Sequence, residues 1–350
     1  MKRRLDRPES GVASLALPEG VTDLVGDEAA RTRAIEATLR GLFTERGYAE
    51  VITPTFEFLS SLAVGLGDEA RSRIYQLFDE SGVPLALRPD VTTSVARLAA
   101  SRLRAARRPL RLFYAQPVFR CESLYEGRPR EFRQVGVELI GAPGVEADLE
   151  ALALAHEAVQ ALGLPGTQLN VGHIGFARGC LRAARVPERE APAILALVDR
   201  KDEAALAERL RALRVPAADR RPLLALPSLY GRGEILKRAA TLAPDEEAAA
   251  AVRRLSALHA AAAARGFADS LLLDLSEVRG MDYYTGVTFE GYAPGLGAAL
   301  LSGGRYDSLV AQFGGDDPAV GWALIVERAR LLLERDARGP GAAAGHGGRT

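Results

Sequence analysis

Residues 111–141, RLFYAQPVFRCESLYEGRPREFRQVGVELIG, constrain the fold most strongly. Two apolar stretches, 111–120 and 133–141, flank the polar loop CESLYEGRPREF. Their aromatic and β-branched residues mark both as strands joined directly by a loop. The pattern recurs at RIYQLFDESGVPLALRPD, residues 73–90, which reads as two strands about a Ser-Gly turn. Helices lie between these pairs. In 27–47, Ile35, Leu39, Leu42 and Phe43 repeat at helical spacing and Gly47 suits the position after the last turn. The stretches 91–106 and 146–163 read as two more helices, and Val51 and Ile52 as a short strand stopped by Pro54. Strands paired through loops, with helices between the pairs, predict an α+β chain with an antiparallel sheet flanked by helices. No GxGxxG motif follows a strand and no Walker loop is present. The sequence therefore disfavours a dinucleotide or P-loop fold, and no cofactor is expected.

Residues 183–266 change character to runs of Ala, Leu, Arg and Glu, which are strong helix formers. A small helical insertion over 183–245 is expected, splitting a core of 18–182 and 246–337. An arm over 1–17 and a disordered Gly/Ala-rich tail over 338–350 complete the predicted organisation. After the insertion, DSLLLDLSEVRGMDYYTGVTFEGYA returns to strands. SGGRYDSLVAQFGG reads as turn, helix and turn, and AVGWALIVERARLLLERD as a strand running into a helix. Basic and acidic residues balance at 45 each, so no nucleic-acid partner is expected. Cys121 and Cys180 stand far apart and the four histidines are scattered, which predicts no metal site. The first residues lack an apolar segment and no run of about 18 apolar residues occurs. No membrane association is predicted, and a cytoplasmic location is expected.

Four clusters carry candidate chemistry. In LRPDVT, Asp90 and Thr92 fall at a strand-to-helix junction, where they serve either as helix caps or as ligand groups. Around the 121–132 loop stand Arg120, Glu122, Arg128 and Arg130, whose guanidinium forks match carboxylate or phosphate oxygens. Gln134, Gly136 and Glu138 alternate by two and share one sheet face. That face is either a solvated surface or a floor open to a small polar ligand, with Glu138 accepting from an ammonium or an imidazole N–H. In SEVRGMDYYTGVTFEGY, Arg279 is a clamp for a carboxylate. Tyr283 and Tyr284 point to opposite faces if the segment is a strand. Gly303 and Gly304 permit positive φ or close backbone approach, and Arg305 and Arg328 are further cations. The plain alternative for Arg328 is a helix-surface charge beside Glu327.

In this order the segments resemble the core of class II histidyl-tRNA synthetases. GYAEVITPTFE is similar to the first class II motif, FRCESLYEGRPREFRQVGVELIG to the second, and RGMDYYTGVTFE to the histidine-binding segment. GGRYDSL precedes a degraded third motif, and the likeness spans about residues 18–335. The resemblance implies that Asp90 and Thr92 face an amino group and that Gln134 contacts the amino acid. Glu138 with one tyrosine, Tyr284 rather than Tyr283, would hold the imidazole, and Arg279 the carboxylate. Arg120 would hold an adenylate phosphate in an active synthetase. Together the groups suit a zwitterion with an N–H-bearing ring.

Three departures matter. Asp90 is one methylene shorter than the synthetase acid, Ile325 replaces a glycine of the third motif, and about 22 residues follow Arg328. An anticodon-binding domain of roughly 100 residues would not fit there. With these departures the chain resembles the regulatory subunit of ATP phosphoribosyltransferase. That likeness implies a non-catalytic subunit paired with a short-form catalytic subunit, with L-histidine as effector. It further implies a homodimer inside a hetero-oligomer. The alternatives are a histidine–tRNA ligase core without its anticodon domain, in which Arg120, Arg279 and Arg328 survive, and a translational-control protein that reuses the core.

Overall fold

The structure, a computed structural model, describes residues 15–121, 129–164, 166–278 and 284–338. Helix α1 (Asp27–Glu45) buries Ile35, Leu39 and Phe43 on one face and carries Asp27 and Glu28 in its first turn, where they complement the helix dipole. Gly47, with φ 79°, follows it. The strand expected at Val51–Ile52 lies slightly earlier, as β1 (Ala49–Glu50), because parallel pairing with residues 112–113 sets its register. The Val51 N–H still donates to the Phe113 carbonyl at 2.8 Å. Strands β2 (Phe56–Phe58), β3 (Gln76–Phe78) and β4 (Pro84–Leu87) make a small antiparallel sheet, with the short helices α2 (Leu59–Leu62) and α3 (Asp68–Ser72) between β2 and β3.

Helix α4 (Thr92–Ala100) is shorter than the sequence predicts. Ser101 ends it, with its hydroxyl turned back onto the Arg97 carbonyl at 2.6 Å, a local bond that competes with helix continuation. The two ten-residue strands β5 (Leu110–Phe119) and β6 (Glu131–Ile140) then pair along their whole length. Helix α5 (Val145–Ala161), β7 (Gln168–His173) and α6 (Ile174–Ala183) follow. The expected helical stretch contains α7 (Ala191–Asp199), α8 (Glu203–Ala212), α9 (Ala217–Ala225), β8 (Tyr230–Gly231), α10 (Ile235–Leu242) and α11 (Glu246–Ala264). Strands β9 (Leu271–Asp274), β10 (Val287–Tyr292), β11 (Leu301–Arg305) and β12 (Ala319–Ile325) and helix α12 (Val326–Arg338) complete the chain.

Among the described residues the main sheet has nine strands, in the order β1-β5-β6-β12-β11-β10-β7-β9-β8. Its centre is antiparallel, and β1–β5 and β7–β9 are parallel. Alternation along the strands assigns its two faces. Val135, Val137, Leu139, Val320, Trp322 and Leu324 join the larger core with α1, α5 and α11. Leu110, Leu112, Tyr114, Val118, Phe132 and Ile140 join a second core under α4, with Val91, Val95 and Ala99. Gln134, Gly136 and Glu138 alternate with the first set, so they share the face under α4, as the spacing predicts.

One expectation is corrected. Gly303 and Gly304 sit inside strand β11 rather than in a turn. They do not adopt positive φ, and their role is close approach.

Candidate functional site

Strand register builds the floor of the site. Glu138 of β6 pairs with Gly321 of β12, Gly321 with Gly304 of β11, and Gly304 with Thr288 of β10. A methyl group on Gly321 would fall on the Glu138 carboxylate. One on Gly304 would come within 2.9 Å of the Tyr284 ring, and one on Gly136 within 2.6 Å of the Tyr114 hydroxyl. At 3.0 Å or less a carbon meets repulsion, so these glycines let side chains lie flat on the sheet. The floor expected over Gly136 is therefore not open: the Tyr114 phenol covers it.

Above the floor is a cavity of about 460 Å³, within the range of roughly 300–1,000 Å³ usual for small-molecule sites. Asp90, Thr92, Arg120, Gln134 and Tyr284 line it, with Tyr306, Ser302 and Gly321. Glu138 is fully buried behind Gly321 and Tyr306. Arg279 and Tyr283 lie outside the described residues, as do Glu122 and Arg128.

The junction that delivers Asp90 and Thr92 is fixed by Arg88, which is 1% exposed. Its guanidinium donates to the carbonyls of Thr53 at 2.9 Å, Pro54 at 3.1 Å and Pro117 at 2.7 Å. Burial pushes its pKa down to about 10, which still leaves it charged at neutral pH. Asp90 caps the helix start, its Oδ1 accepting from the Thr93 N–H at 3.2 Å, and the residue also lines the cavity. Arg120 donates from Nε to the Pro89 carbonyl at 2.9 Å and lies 5.1 Å above the Phe132 ring, so its plane is set before any ligand arrives.

Two buried polar groups lie at or behind the cavity wall. Gln134 is only 7% exposed, and among the described residues its Oε1 has no hydrogen-bond partner. A buried acceptor without a donor costs about 1–3 kcal/mol. Glu138 accepts from the Tyr306 hydroxyl, and from the Tyr114 hydroxyl at 3.4 Å. Burial pushes its pKa up to about 8, and the charge of Asp90 adds to the rise. Hydrogen bonds from Tyr306, Thr92 and Tyr114 oppose it. Near neutral pH the carboxyl thus holds a proton. The Tyr284 phenol is held well above its ordinary range, first by burial and then by Glu290, Glu138 and Asp90, so it remains a neutral donor.

The two further cations of the fourth cluster have partners of their own. Arg305 is 5% exposed and binds Asp148 at 2.6 Å and Asp307 at 2.9 Å, and Asp148 also takes Arg254 at 2.8 Å. This buried cluster ties β11 to α5 and α11. Arg328 donates to the Ala299 carbonyl and does not line the cavity, while the neighbouring Glu327 carboxylate accepts the Arg133 N–H at 3.0 Å. Arg88, Tyr114 and Tyr306 are the residues that sequence reasoning missed. Tyr306 stood in the quoted GGRYD run, and its phenol was the available signal.

The sequence model of the histidyl-tRNA synthetase family matches residues 20–329. An ATP phosphoribosyltransferase regulatory subunit from Moorella thermoacetica is 42% identical over 331 residues, covering 95% of this chain and 85% of the relative. Another, from Anaeromyxobacter dehalogenans, is 41% identical over 342 residues, covering 96% and 98%. The chain belongs to the ATP phosphoribosyltransferase regulatory subunit family, whose fold is that of histidyl-tRNA synthetase. A Bacillus halodurans crystal structure described as an ATP phosphoribosyltransferase regulatory subunit/histidyl-tRNA synthetase superposes with a TM-score of 0.85 at 31% identity, covering 92% of this chain and 84% of that one. The α+β, class II synthetase-like core is thus the family's fold, and the role that goes with the family is regulatory rather than catalytic. Among the described residues no helix is long and apolar enough to cross a membrane. No group of three or more His, Cys, Asp or Glu among them is placed to hold a metal.

Proposed function

We propose that this chain senses L-histidine on behalf of a short-form catalytic subunit of ATP phosphoribosyltransferase, in the cytoplasm, at the first step of histidine biosynthesis. The observation that carries the reading is the Gln134 Oε1, which has no hydrogen-bond partner among the described residues and is buried at the wall of a cavity that Asp90 also lines. Both groups accept hydrogen bonds, and an amino-acid ammonium supplies donors to both. The imidazole lies toward Glu138, Tyr306 and Tyr284, and the family resemblance assigns the carboxylate to Arg279. An effector changes activity only by binding two states of an assembly unequally, and the coupling is reciprocal. In this reading the cavity supplies the unequal term and the subunit contact transmits it. The homodimer forms through the segment that resembles the first class II motif. There Ile52 is 81% exposed and Phe56 and Phe58 are each 54% exposed, an apolar surface that a second copy would cover.

Titration calorimetry of the isolated chain with L-histidine is the test. Saturable binding is expected, weakened at least about tenfold, or roughly 1.4 kcal/mol, by Gln134→Ala and by Glu138→Ala. Equal affinity in all three proteins overturns the assignment. Co-expression with a short catalytic subunit should give an assembly whose activity falls as histidine is added. The synthetase alternative, supported by Arg120 at the cavity wall, predicts ATP–pyrophosphate exchange with histidine, and none is expected.

A further inference from the structure

Helices α8, α9 and α10 border a second, open cleft of about 540 Å³ that shares no lining residue with the first cavity. Arg211 of α8, Arg220 and Arg221 of α9 and Arg238 of α10 line it, and Glu203 is the one acidic residue on its wall. The local charge is uneven. Residues 183–245 carry twelve Lys and Arg against nine Asp and Glu, in a chain that balances overall. Within 209–221 there are five arginines and one aspartate. Nearby arginines are paired: Arg209 with Glu190, and Arg182 with Asp245 and Glu247. Arg211, Arg220 and Arg221 make no ion pair among the described residues. Arg238 alone is positioned, by the Ser228 hydroxyl at 3.0 Å and the Ser228 carbonyl at 3.3 Å.

We propose that this arginine-lined cleft binds a phosphate-bearing small molecule. Converging like charges repel one another until an anion enters. A guanidinium presents a planar fork that matches two phosphate oxygens at once, which suits several arginines around one polyphosphate. The cleft's volume accommodates a nucleotide, within the roughly 300–1,000 Å³ of small-molecule sites. Leu224 and Leu242 on the same walls offer an apolar place for a base. The cleft has a physical link to the histidine cavity. Helix α9 packs on α6, and Arg178 of α6 donates to the Tyr284 carbonyl at 3.0 Å. Any effect on histidine affinity rests on the proposed function, whereas anion binding itself does not.

The test is calorimetry of the full chain with ATP, AMP and inorganic tripolyphosphate as separate probes, at low and at high salt. One saturable site per chain is expected, weakened by salt and at least about tenfold weaker in Arg220→Ala/Arg221→Ala, a loss of roughly 1.4 kcal/mol. Gln134→Ala should leave it unchanged. Tripolyphosphate binding as tightly as ATP assigns bare phosphate recognition, and tighter ATP binding assigns a base subsite; either supports the proposal. Lack of saturation at millimolar concentration overturns it. So does ATP binding that survives the double substitution and disappears in Arg120→Ala, because that places the nucleotide in the synthetase-like cavity. Failure of histidine binding alone would sink the proposed function and leave this cleft untouched.

Discussion

The proton on Glu138 has a measurable cost. The carboxyl is buried, with its pKa pushed from the ordinary 4.5 up to about 8. Between those values the folded protein holds a proton that the unfolded chain releases, so the contribution of this group to stability falls as pH rises from about 4.5 toward 8. At about 1.4 kcal/mol per pH unit, retaining the proton at pH 7 costs about 3 kcal/mol relative to acid conditions. Glu138→Gln keeps the shape and an acceptor for the Tyr306 hydroxyl and needs no proton. The variant should therefore be more stable than the parent by about 3 kcal/mol at pH 7 and by less than about 1 kcal/mol at pH 5. Urea unfolding followed by fluorescence of Trp322, the single tryptophan, reads the difference. Trp322 packs edge-on to Phe43 with ring centroids 5.7 Å apart, so its emission reports the core. The same substitution should weaken histidine binding, because an amide cannot carry the charge left when the proton moves to the ring. If Glu138→Gln gives no gain at pH 7, or the same gain at both pH values, the buried carboxyl is ionised and the proton-holding account is wrong.

Two further substitutions probe the floor and the core beneath it. Gly136→Ala places a methyl 2.5 Å from the Trp322 carbonyl and 2.6 Å from the Tyr114 hydroxyl; a loss of about 1–3 kcal/mol should appear in urea melts, with histidine binding abolished as Tyr114 leaves Glu138. Arg305→Met should cost about 3 kcal/mol or more, because Asp148, 1% exposed, keeps only Arg254 as a cation partner; stability equal to the parent would mean that water or Arg254 replaces the lost charge.

How much was legible depended on the range of the signal. The shared face of Gln134, Gly136 and Glu138 follows from a period of two, which holds in any strand. The Asp90–Thr92 junction was legible because caps have a local chemistry. The fate of Arg305 was not, because its partner Asp148 lies 157 residues away and is brought to it only by the packing of α5 on the sheet. Tyr306 reaches Glu138 across 168 residues, and nothing next to it in sequence announces that contact. Gly303 and Gly304 were misplaced for another reason. A missing Cβ serves a turn and a crowded strand equally well, and only the ring of Tyr284 over Gly304 separates the two. Assembly with a second chain leaves no comparable mark along one sequence.

The pairing of Glu138 with Gly321 also acts as a check on alignment during folding. If β12 slid two positions along β6, Ala319 or Ala323 would stand opposite the carboxylate and a methyl would occupy its resting place. The hydrophobic alternation would survive such a slide, since every side chain keeps its face. Buried apolar area alone is therefore a weak guard against this error, and the acid on its glycine is a sharp one. A bound effector would strengthen the guard by mass action, rewarding only molecules whose central strands are correctly aligned.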